Sequence, residues 1–387
     1  MPSMTRQIAF RRFIDVVTTI LFSVLSYCTL RLAVADYLFH LNSREGIEGA
    51  IRLVPGNADY HKALGEFETA RKLNPRDSTA WIRIGLNAEM QGHFDQAGRA
   101  LVEAARVDRT FEPSWALANY YFRRNNRPKF WLWVRKAAEM NYDDATVIFR
   151  LCWRITEDPN EILQRAIPNE PVVLRQYLGF LLAEKRMDAA VTVAERLLTD
   201  GGPDDVPMLV ACCDRLLAAR STTPAIHLWN GLAARKLIAT SPARAEALVN
   251  GDFRTAPTQH GFDWFVNPLE GVAAGLDPSA GLRITLSGKQ PERCEILRQF
   301  VPVRPGQRYI FRIRQRASSF AVETGLRWRV YAPDPIAGST DLSQDTVAFT
   351  TPSGADLVRL ALLYERTPGT TRPEGSLWLE SASLEGR

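Results

Sequence analysis

A 34-residue spacing of bulky aromatic residues most constrains what this chain can fold into. Trp81, Trp115 and Phe149 follow one another at that step. Small and apolar residues follow the first of them at helical spacing: Ile84, Gly85, Ala88, Ala97, Leu101 and Ala104. Such a stripe predicts amphipathic helices, and a 34-residue period predicts helix pairs. One pair cannot bury its own stripe, so successive pairs must stack into an α-helical solenoid.

This pattern resembles the tetratricopeptide repeat (TPR) family over about residues 50–240. The unit from Trp81 departs from the family at the proline position, which holds Arg109. The pattern is interrupted by prolines around residues 159–171 and resumes at Leu174. The resemblance implies an array that binds a protein partner and carries no chemistry of its own. Phe130, Trp131 and Trp133 form a dense aromatic patch, in which Trp131 and Trp133 are partner-binding candidates and core packing is the alternative.

The N-terminus has the composition of a membrane segment. Three arginines, at positions 6, 11 and 12, precede fifteen uncharged residues from Val16 to Leu30, and the flanks bring the segment near the ~20 residues that span a bilayer. The positive-inside rule then predicts a single-pass anchor in a bacterial inner membrane, with most of the chain periplasmic. A cleaved signal peptide is the alternative, because Ala33-Val34-Ala35 resembles a cleavage site, although Arg31 argues against it. A buried core helix is the third interpretation.

The chain changes character near residue 245, where short alternating runs bounded by Gly, Pro, Ser and Asp replace the helical period. In YIFRIRQRA, for example, Tyr309, Phe311 and Ile313 share one face of a strand. Such runs predict antiparallel strands in two packed sheets. The predicted organisation is therefore multidomain α plus β: a tail and anchor at 1–40, a TPR-like array at 41–244 and a β-sandwich at 245–387.

The order of features in the sandwich resembles a carbohydrate-binding-module jelly roll of the xylanase-associated type. The resemblance is carried by LVNGDF (248–253), by Trp264, by the stretch at 299–317 and by the last strand at 376–386. It implies that aromatic rings stack on sugars, with core packing as the alternative for each ring. The ligand-binding candidates are Trp264, Trp328, Tyr331, Arg314 and Arg329, with Trp378 as a further ring in the last strand.

Arginines also recur on two predicted strands of the sandwich. Arg312, Arg314 and Arg316 alternate along one strand, and Arg327 and Arg329 along the next. If these strands are neighbours, the five side chains form one basic patch. A solvated face is the default interpretation, and an anionic glycan or lipid headgroup is the alternative partner.

No metal or cofactor is predicted. The resembling family often binds calcium, but only Asp252 and Glu380 stand at matching places, which is too few oxygen ligands. The five cysteines show no CxxC spacing and are expected to be small apolar residues without disulfides. The histidines of the array show no metal-ligand spacing.

The sequence predicts a non-enzymatic, membrane-anchored envelope scaffold. The net charge of +5 is spread along the chain, so nucleic-acid binding is not predicted. No nucleophile elbow, P-loop, dinucleotide fingerprint or HExxH motif is present. The repeats would bind a protein and the sandwich a glycan, in exopolysaccharide assembly or export. The alternatives are an adaptor whose sandwich mediates protein contacts, and a glycan-active enzyme with two carboxylates roughly 5–10 Å apart.

Overall fold

The computed structural model describes residues 3–141, 143–318, 320, 324–336, 340–341 and 345–387. Its contacts group the chain into two compact units, the first ending at Pro168 and the second beginning at Asn169. The predicted boundaries at residues 40 and 244 divide the chain by sequence character and stay a prediction.

The N-terminal part of the described chain is helical. The first helix, α1, is Ser3–His40, and its stretch Phe10–His40 is long and apolar enough to cross a membrane. The other helices are α2 (Arg44–Leu53), α3 (Ala58–Ala63), α4 (Phe67–Leu73), α5 (Ser78–Met90), α6 (Phe94–Val107), α7 (Phe111–Arg123), α8 (Arg127–Glu139), α9 (Thr146–Ile155), α10 (Pro159–Arg165), α11 (Pro171–Ala183), α12 (Met187–Asp200), α13 (Val206–Ala218) and α14 (Thr222–Ala234).

The helices pack as consecutive antiparallel pairs, and the 34-residue period is the reason. Helix α5 packs on α6, α7 on α8, α11 on α12 and α13 on α14. Trp81 and Trp115 lie in α5 and α7, the first helices of two successive pairs, and Phe149 lies in the next helix, α9. Close approach within a pair depends on small residues: a Cβ at Gly85 would lie 2.7 Å from Leu101 Cγ of the paired helix. The predicted solenoid is confirmed.

The prolines near residue 160 stand at the beginnings of helices. Pro159 and Pro171 stand in the first turns of α10 and α11, where the missing N–H is not needed by the helix. Asp158 caps α10 by accepting a hydrogen bond from the Asn160 N–H at 2.9 Å. Helices α9 and α10, with 10 and 7 residues, are shorter than α5 to α8, so the pattern weakens there.

The C-terminal part is a sandwich of two antiparallel sheets, as predicted. Over the residues that the structure describes, the first sheet has the strand order β1–β4–β9–β6–β7 and the second β2–β3–β10–β5–β8. The strands are β1 (Phe265–Val266), β2 (Val272–Asp277), β3 (Gly281–Ser287), β4 (Arg293–Pro302), β5 (Arg308–Ser318), β6 (Leu326–Tyr331), β7 (Thr340–Asp341), β8 (Thr346–Thr350), β9 (Leu357–Glu365) and β10 (Glu374–Gly386).

The core of the sandwich is formed by the inward-facing side chains of both sheets. In β5 the buried residues are Tyr309, Phe311 and Ile313, as the alternation predicts. The aromatic rings interlock across the core, since Phe311 packs edge-on against Trp328 at a centroid distance of 5.3 Å. Burying these rings together with the aliphatic side chains of both sheets stabilises the packing of one sheet on the other.

The last helix pair packs directly against the sandwich within the second unit. Thr222, at the start of α14, donates a hydrogen bond to the Asp356 carboxylate at 2.9 Å. Asp214 of α13 accepts from the Gly261 N–H at 2.6 Å and contacts His260 Nδ1 at 2.7 Å. Trp229 of α14 is buried, and its indole N–H donates to the Ser241 carbonyl at 3.2 Å. The segment after α14 is therefore fixed against that helix.

Candidate functional site

An open groove of about 920 Å³ runs across α4, α5, α6, α7 and the start of α8, all within the first unit. Trp81 and Tyr121 contribute aromatic side chains from the first helices of two successive pairs, and Phe94 from the start of α6. Phe94 is exposed although it is large and apolar. A groove with exposed aromatic surface is the common form of a protein-binding site.

Cationic side chains lie over the aromatic rings of this groove. The distances from cation to ring centroid are 4.9 Å for Arg71 on Trp81, 3.9 Å for Arg124 on Phe94 and 5.2 Å for Lys129 on Tyr121. Such cation–π contacts hold the charged groups at the groove wall. The groove can therefore contact both the apolar and the anionic groups of a ligand.

Tyr120 forms part of the groove floor. Its hydroxyl donates a hydrogen bond to the Phe94 carbonyl at 2.8 Å, and burial raises the pKa of the phenol. This bond joins α7 to the first residue of α6. The groove is thus shaped by contacts between consecutive helix pairs, which the period of the sequence does not reveal.

Of the two partner-binding candidates in α8, Trp131 is in the core. It is 4% exposed and packs against Phe130 at a centroid distance of 4.9 Å. Its helical stripe faces inward, so it cannot contact a partner. Trp133 is half-buried, with Lys136 Nζ 4.2 Å from its ring centroid. Trp133 therefore stays a candidate, outside the groove.

Two of the sugar-stacking candidates are also core residues. Trp264 is 0% exposed and Trp328 is 1% exposed, and their rings meet edge-on at 6.1 Å. The prediction that they contact a ligand is wrong, because neither ring presents a face to solvent. Trp328 alternates with arginines along β6, and the apolar side of that strand faces the other sheet.

Tyr331 is half-buried at a cavity of about 760 Å³ in the second unit. Phe300 and Arg359 line the cavity beside it, and Leu217 lines it from α13. The Arg359 guanidinium lies 4.4 Å from the Tyr331 ring centroid. Of the three predicted aromatic ligand residues, Trp264 and Trp328 are buried in the core, and Tyr331 lines a cavity.

Arg314 and Arg329 lie on different sheets, so the five arginines do not form one patch. Strand β5, with Arg314, pairs with β10 and β8, whereas β6, with Arg329, pairs with β9 and β7. Arg314 is exposed. Arg329 lies 3.7 Å from the Glu365 carboxylate. The expectation of a single basic face fails because the two strands are consecutive in sequence and are not neighbours in space.

Trp378 is the aromatic residue of the last strand that the structure places at the surface. It is half-buried on the outer face of β10, between the inward-facing Leu377 and Leu379. Trp378 lies between two arginines, because it pairs in register with Arg283 of β3 on one side and with Arg316 of β5 on the other. Strict alternation along β10 would have indicated this orientation.

The acidic residues considered for calcium take part in ion pairs. Asp252 lies 3.3 Å from Arg254, and Glu380 lies 3.8 Å from Arg316. Within the described part of the chain, no group of three or more His, Cys, Asp or Glu could hold a metal ion. Cys152, Cys212 and Cys213 are buried as free thiols. Burial raises the pKa of the Cys212 thiol to about 12, so it is inert as a nucleophile at neutral pH.

No protein-family model matches the chain, and no curated protein does. Among solved structures, "CBM4 structure and function" matches at 14% identity over 36% of this chain and 99% of the other, with a TM-score of 0.29. A second is "YrrB: a TPR protein with an unusual peptide-binding site", at 13% identity over 49% and 97% of the two chains, TM-score 0.23. A third is the accessory secretory protein 1,2 and 3 structure of Streptococcus pneumoniae, at 14% identity over 32% and 91%, TM-score 0.25.

The helical part is TPR-like. The pairs α5–α6 and α7–α8 repeat at the 34-residue step between Trp81 and Trp115, and Gly85 supplies the close approach that this repeat requires. The C-terminal part, over the residues described, is a sandwich of two antiparallel sheets. The fold assignment thus rests on helix pairing and strand order.

Proposed function

We propose that this protein is a non-enzymatic scaffold, anchored in a bacterial inner membrane by α1, with the remainder in the periplasm. Its repeats would bind a protein partner, and its sandwich a glycan, in polysaccharide assembly or export. The observation that carries the proposal is the groove of α5–α8, because it is open, aromatic and lined by fixed cations. The apolar stretch Phe10–His40 supports the anchor.

The groove favours an extended partner segment with apolar and acidic side chains. Phe94 and Val102 expose apolar surface, and Arg124 and Lys129 bring positive charge to the same wall. Glu68, Asp95 and Glu103 also line the groove, so acidic residues of the partner would have to lie toward the arginine and lysine side. Charge complementarity of this kind sets the orientation of a bound segment.

Site-specific photo-crosslinking in native cells tests the groove. Gln96 and Gln91 are both exposed, but only Gln96 lines the groove. A crosslinking amino acid at position 96 should give a discrete adduct, and one at position 91 should give none. Arg124→Ala should weaken the adduct at 96. The same adducts from both positions would contradict binding in the groove.

The glycan half of the proposal is supported by the aromatic side chains that the sandwich keeps at its surface. Tyr331 borders a cavity and Trp378 lies on an outer sheet face. Binding of the full chain to an array of polysaccharides tests it. Capture of particular glycans that resists moderate salt supports sugar recognition, whereas no binding to any glycan favours the adaptor function.

The adaptor is the second candidate, and the burial of Trp264 and Trp328 favours it, because their burial leaves the sandwich with fewer aromatic rings that could stack on sugars. The absence of catalysis also belongs to the proposal. It rests on the lack of a catalytic motif in the sequence, and turnover of an oligosaccharide that one carboxylate substitution abolishes would refute it.

A further inference from the structure

A row of four residues crosses the outer face of the sheet β2–β3–β10–β5–β8. Trp378 of β10 is paired in register with Arg283 of β3 on one side and with Arg316 of β5 on the other. Gly275 of β2 is in register with Arg283 and has open space where a Cβ would stand. We call these four residues the Trp378 row.

Both arginines of the Trp378 row are held by the indole ring. The guanidinium carbon of Arg316 lies 4.7 Å from the ring centroid of Trp378, and that of Arg283 lies 5.4 Å from it. The indole N–H of Trp378 donates to the Asp277 carboxylate at 3.3 Å, which fixes the ring. The two charged groups are therefore positioned before any ligand arrives, so little side-chain entropy is lost on binding.

The positive charge of this face is incompletely neutralised. Arg283 donates hydrogen bonds to the Ser376 hydroxyl at 3.2 and 3.3 Å, and has no ion pair within the described residues. Arg316 has a long ion pair of 3.8 Å with Glu380. Arg314 is exposed two residues before Arg316 on the same strand face, likewise without an ion pair among the residues that the structure describes. The face thus attracts anions.

Hydroxyl groups line the adjacent cross-strand row. Ser376 of β10 pairs in register with Thr285 of β3, and their side-chain oxygens lie 3.1 Å apart. Gly275 and Ala273 of β2 keep the surface low at one side, since neither has a bulky side chain. A ligand can therefore approach the Trp378 row from the side of β2.

We propose that the Trp378 row binds a polysaccharide that contains uronate residues. This inference rests on the proposed glycan binding of the sandwich and names its surface and its ligand class. Guanidinium groups bind carboxylates by paired hydrogen bonds, which matches Arg283 and Arg316. The indole ring of Trp378 positions both guanidinium groups, and the half-buried Thr285 hydroxyl in the next cross-strand row can bind a sugar hydroxyl. An acidic peptide or a lipid headgroup would use the charge of the two arginines but would not need the sugar-binding hydroxyl of Thr285 beside them.

The test measures binding of the full chain, in non-ionic detergent, to polygalacturonate and to its methyl-esterified form. The esterified polymer keeps the sugar backbone and loses the carboxylate charge. Its affinity should therefore be at least about tenfold lower than that of polygalacturonate. Arg283→Gln and Arg316→Gln should each weaken polygalacturonate binding by about tenfold or more, because each removes a charge-assisted hydrogen bond. Trp378→Phe should weaken it as well, because a smaller ring without the N–H bond to Asp277 holds the two guanidinium groups less firmly.

Arg329→Gln is the matched control. It removes the same charge from the sandwich but on the other sheet. An unchanged affinity in this variant, with thermal unfolding unchanged in all variants, supports the Trp378 row. An equal loss in Arg329→Gln would overturn the inference, because only the net charge would then matter. Equally tight binding of the esterified polymer would overturn it too.

The failure of this inference and the failure of glycan binding as a whole give different results. If poly-glutamate or phosphatidylglycerol vesicles bind as tightly, with the same loss in Arg283→Gln, the row recognises anions in general and the assignment to a glycan fails. If neutral glycans bind, unaffected by Arg283→Gln but lost in Tyr331→Ala, glycan binding stands and the inference about the Trp378 row fails. If no polysaccharide binds, the glycan half of the proposed function fails together with it.

Discussion

The packing of α14 against the sandwich predicts that Gly261→Ala is strongly destabilising. Gly261 has φ +59°, and a Cβ there would overlap the six-membered ring of Trp229 in α14. The left-handed backbone costs an alanine about 1 kcal/mol, and forcing a methyl group into a packed site costs about 2 kcal/mol more. The expected total of about 3 kcal/mol lowers Tm by roughly 6–12 °C in a unit of this size.

Gly306→Ala is the control for this variant, because Gly306 has φ +70° but nothing near the position of a Cβ. It should cost only the backbone strain of about 1 kcal/mol, or roughly 2–4 °C. Scanning calorimetry of the full chain in detergent measures both. Equal Tm values for the two variants would refute the contact between Trp229 and Gly261, and with it the joining of α14 to the sandwich.

Three further predictions concern the first unit. Burial of His61 opposes its charge, but its bonds to Glu66 and the Pro55 carbonyl raise its pKa. The stabilisation that His61→Gln removes should therefore be full below about pH 6.5 and vanish as pH rises through the folded-state pKa. A difference in urea midpoint that does not change with pH would contradict this. Asp77 caps α5 and pairs with Lys62 at 2.5 Å, so Asp77→Ala should lower the free energy of unfolding by about 1–2 kcal/mol in urea. Asp77→Asn should lower it less, because asparagine can still cap the helix, and equal losses would mean that only the charge matters. Arg123→Lys should lower the free energy of unfolding by about 0.5–1 kcal/mol, because lysine cannot keep both bonds to Glu89 at 2.6 and 2.8 Å. A double-mutant cycle with Glu89→Gln that shows no coupling energy would reject the pairing.

The features that sequence can predict are those fixed by local periodicity. The repeat pattern predicts Gly85 and Ala97 at a close helix contact, and the structure places them there because the 3.6-residue helix repeat decides which side chains face a partner helix. The burial of Phe311 and Ile313 follows equally from the two-residue repeat of a strand. Solenoid and sandwich are therefore predictable from one sequence.

The candidate sites are less predictable because they depend on which elements become neighbours. Arg314 and Arg329 belong to consecutive strands, yet each pairs with a strand far along the chain, and strand pairing of this kind leaves no local signal. Trp378 and Trp328 are both strand tryptophans, but only the register of the finished sheets tells which one faces solvent. The same holds for Arg71, which reaches Trp81 only after α4 packs on α5.

Asp214, Thr222 and Trp229 of the last two helices contact residues that follow α14 in the chain. These contacts also determine how mechanical force would pass through the second unit. The segment after α14 is held by Trp229 and by Asn230, which bonds the backbone of Ala243 in both directions at 2.7 and 3.0 Å. Tension applied to the strands would therefore reach α13 and α14 directly, because the segment after α14 is bonded to that helix and would not extend first. In a single-molecule pulling experiment, the last helix pair and the sandwich should yield in one rupture event.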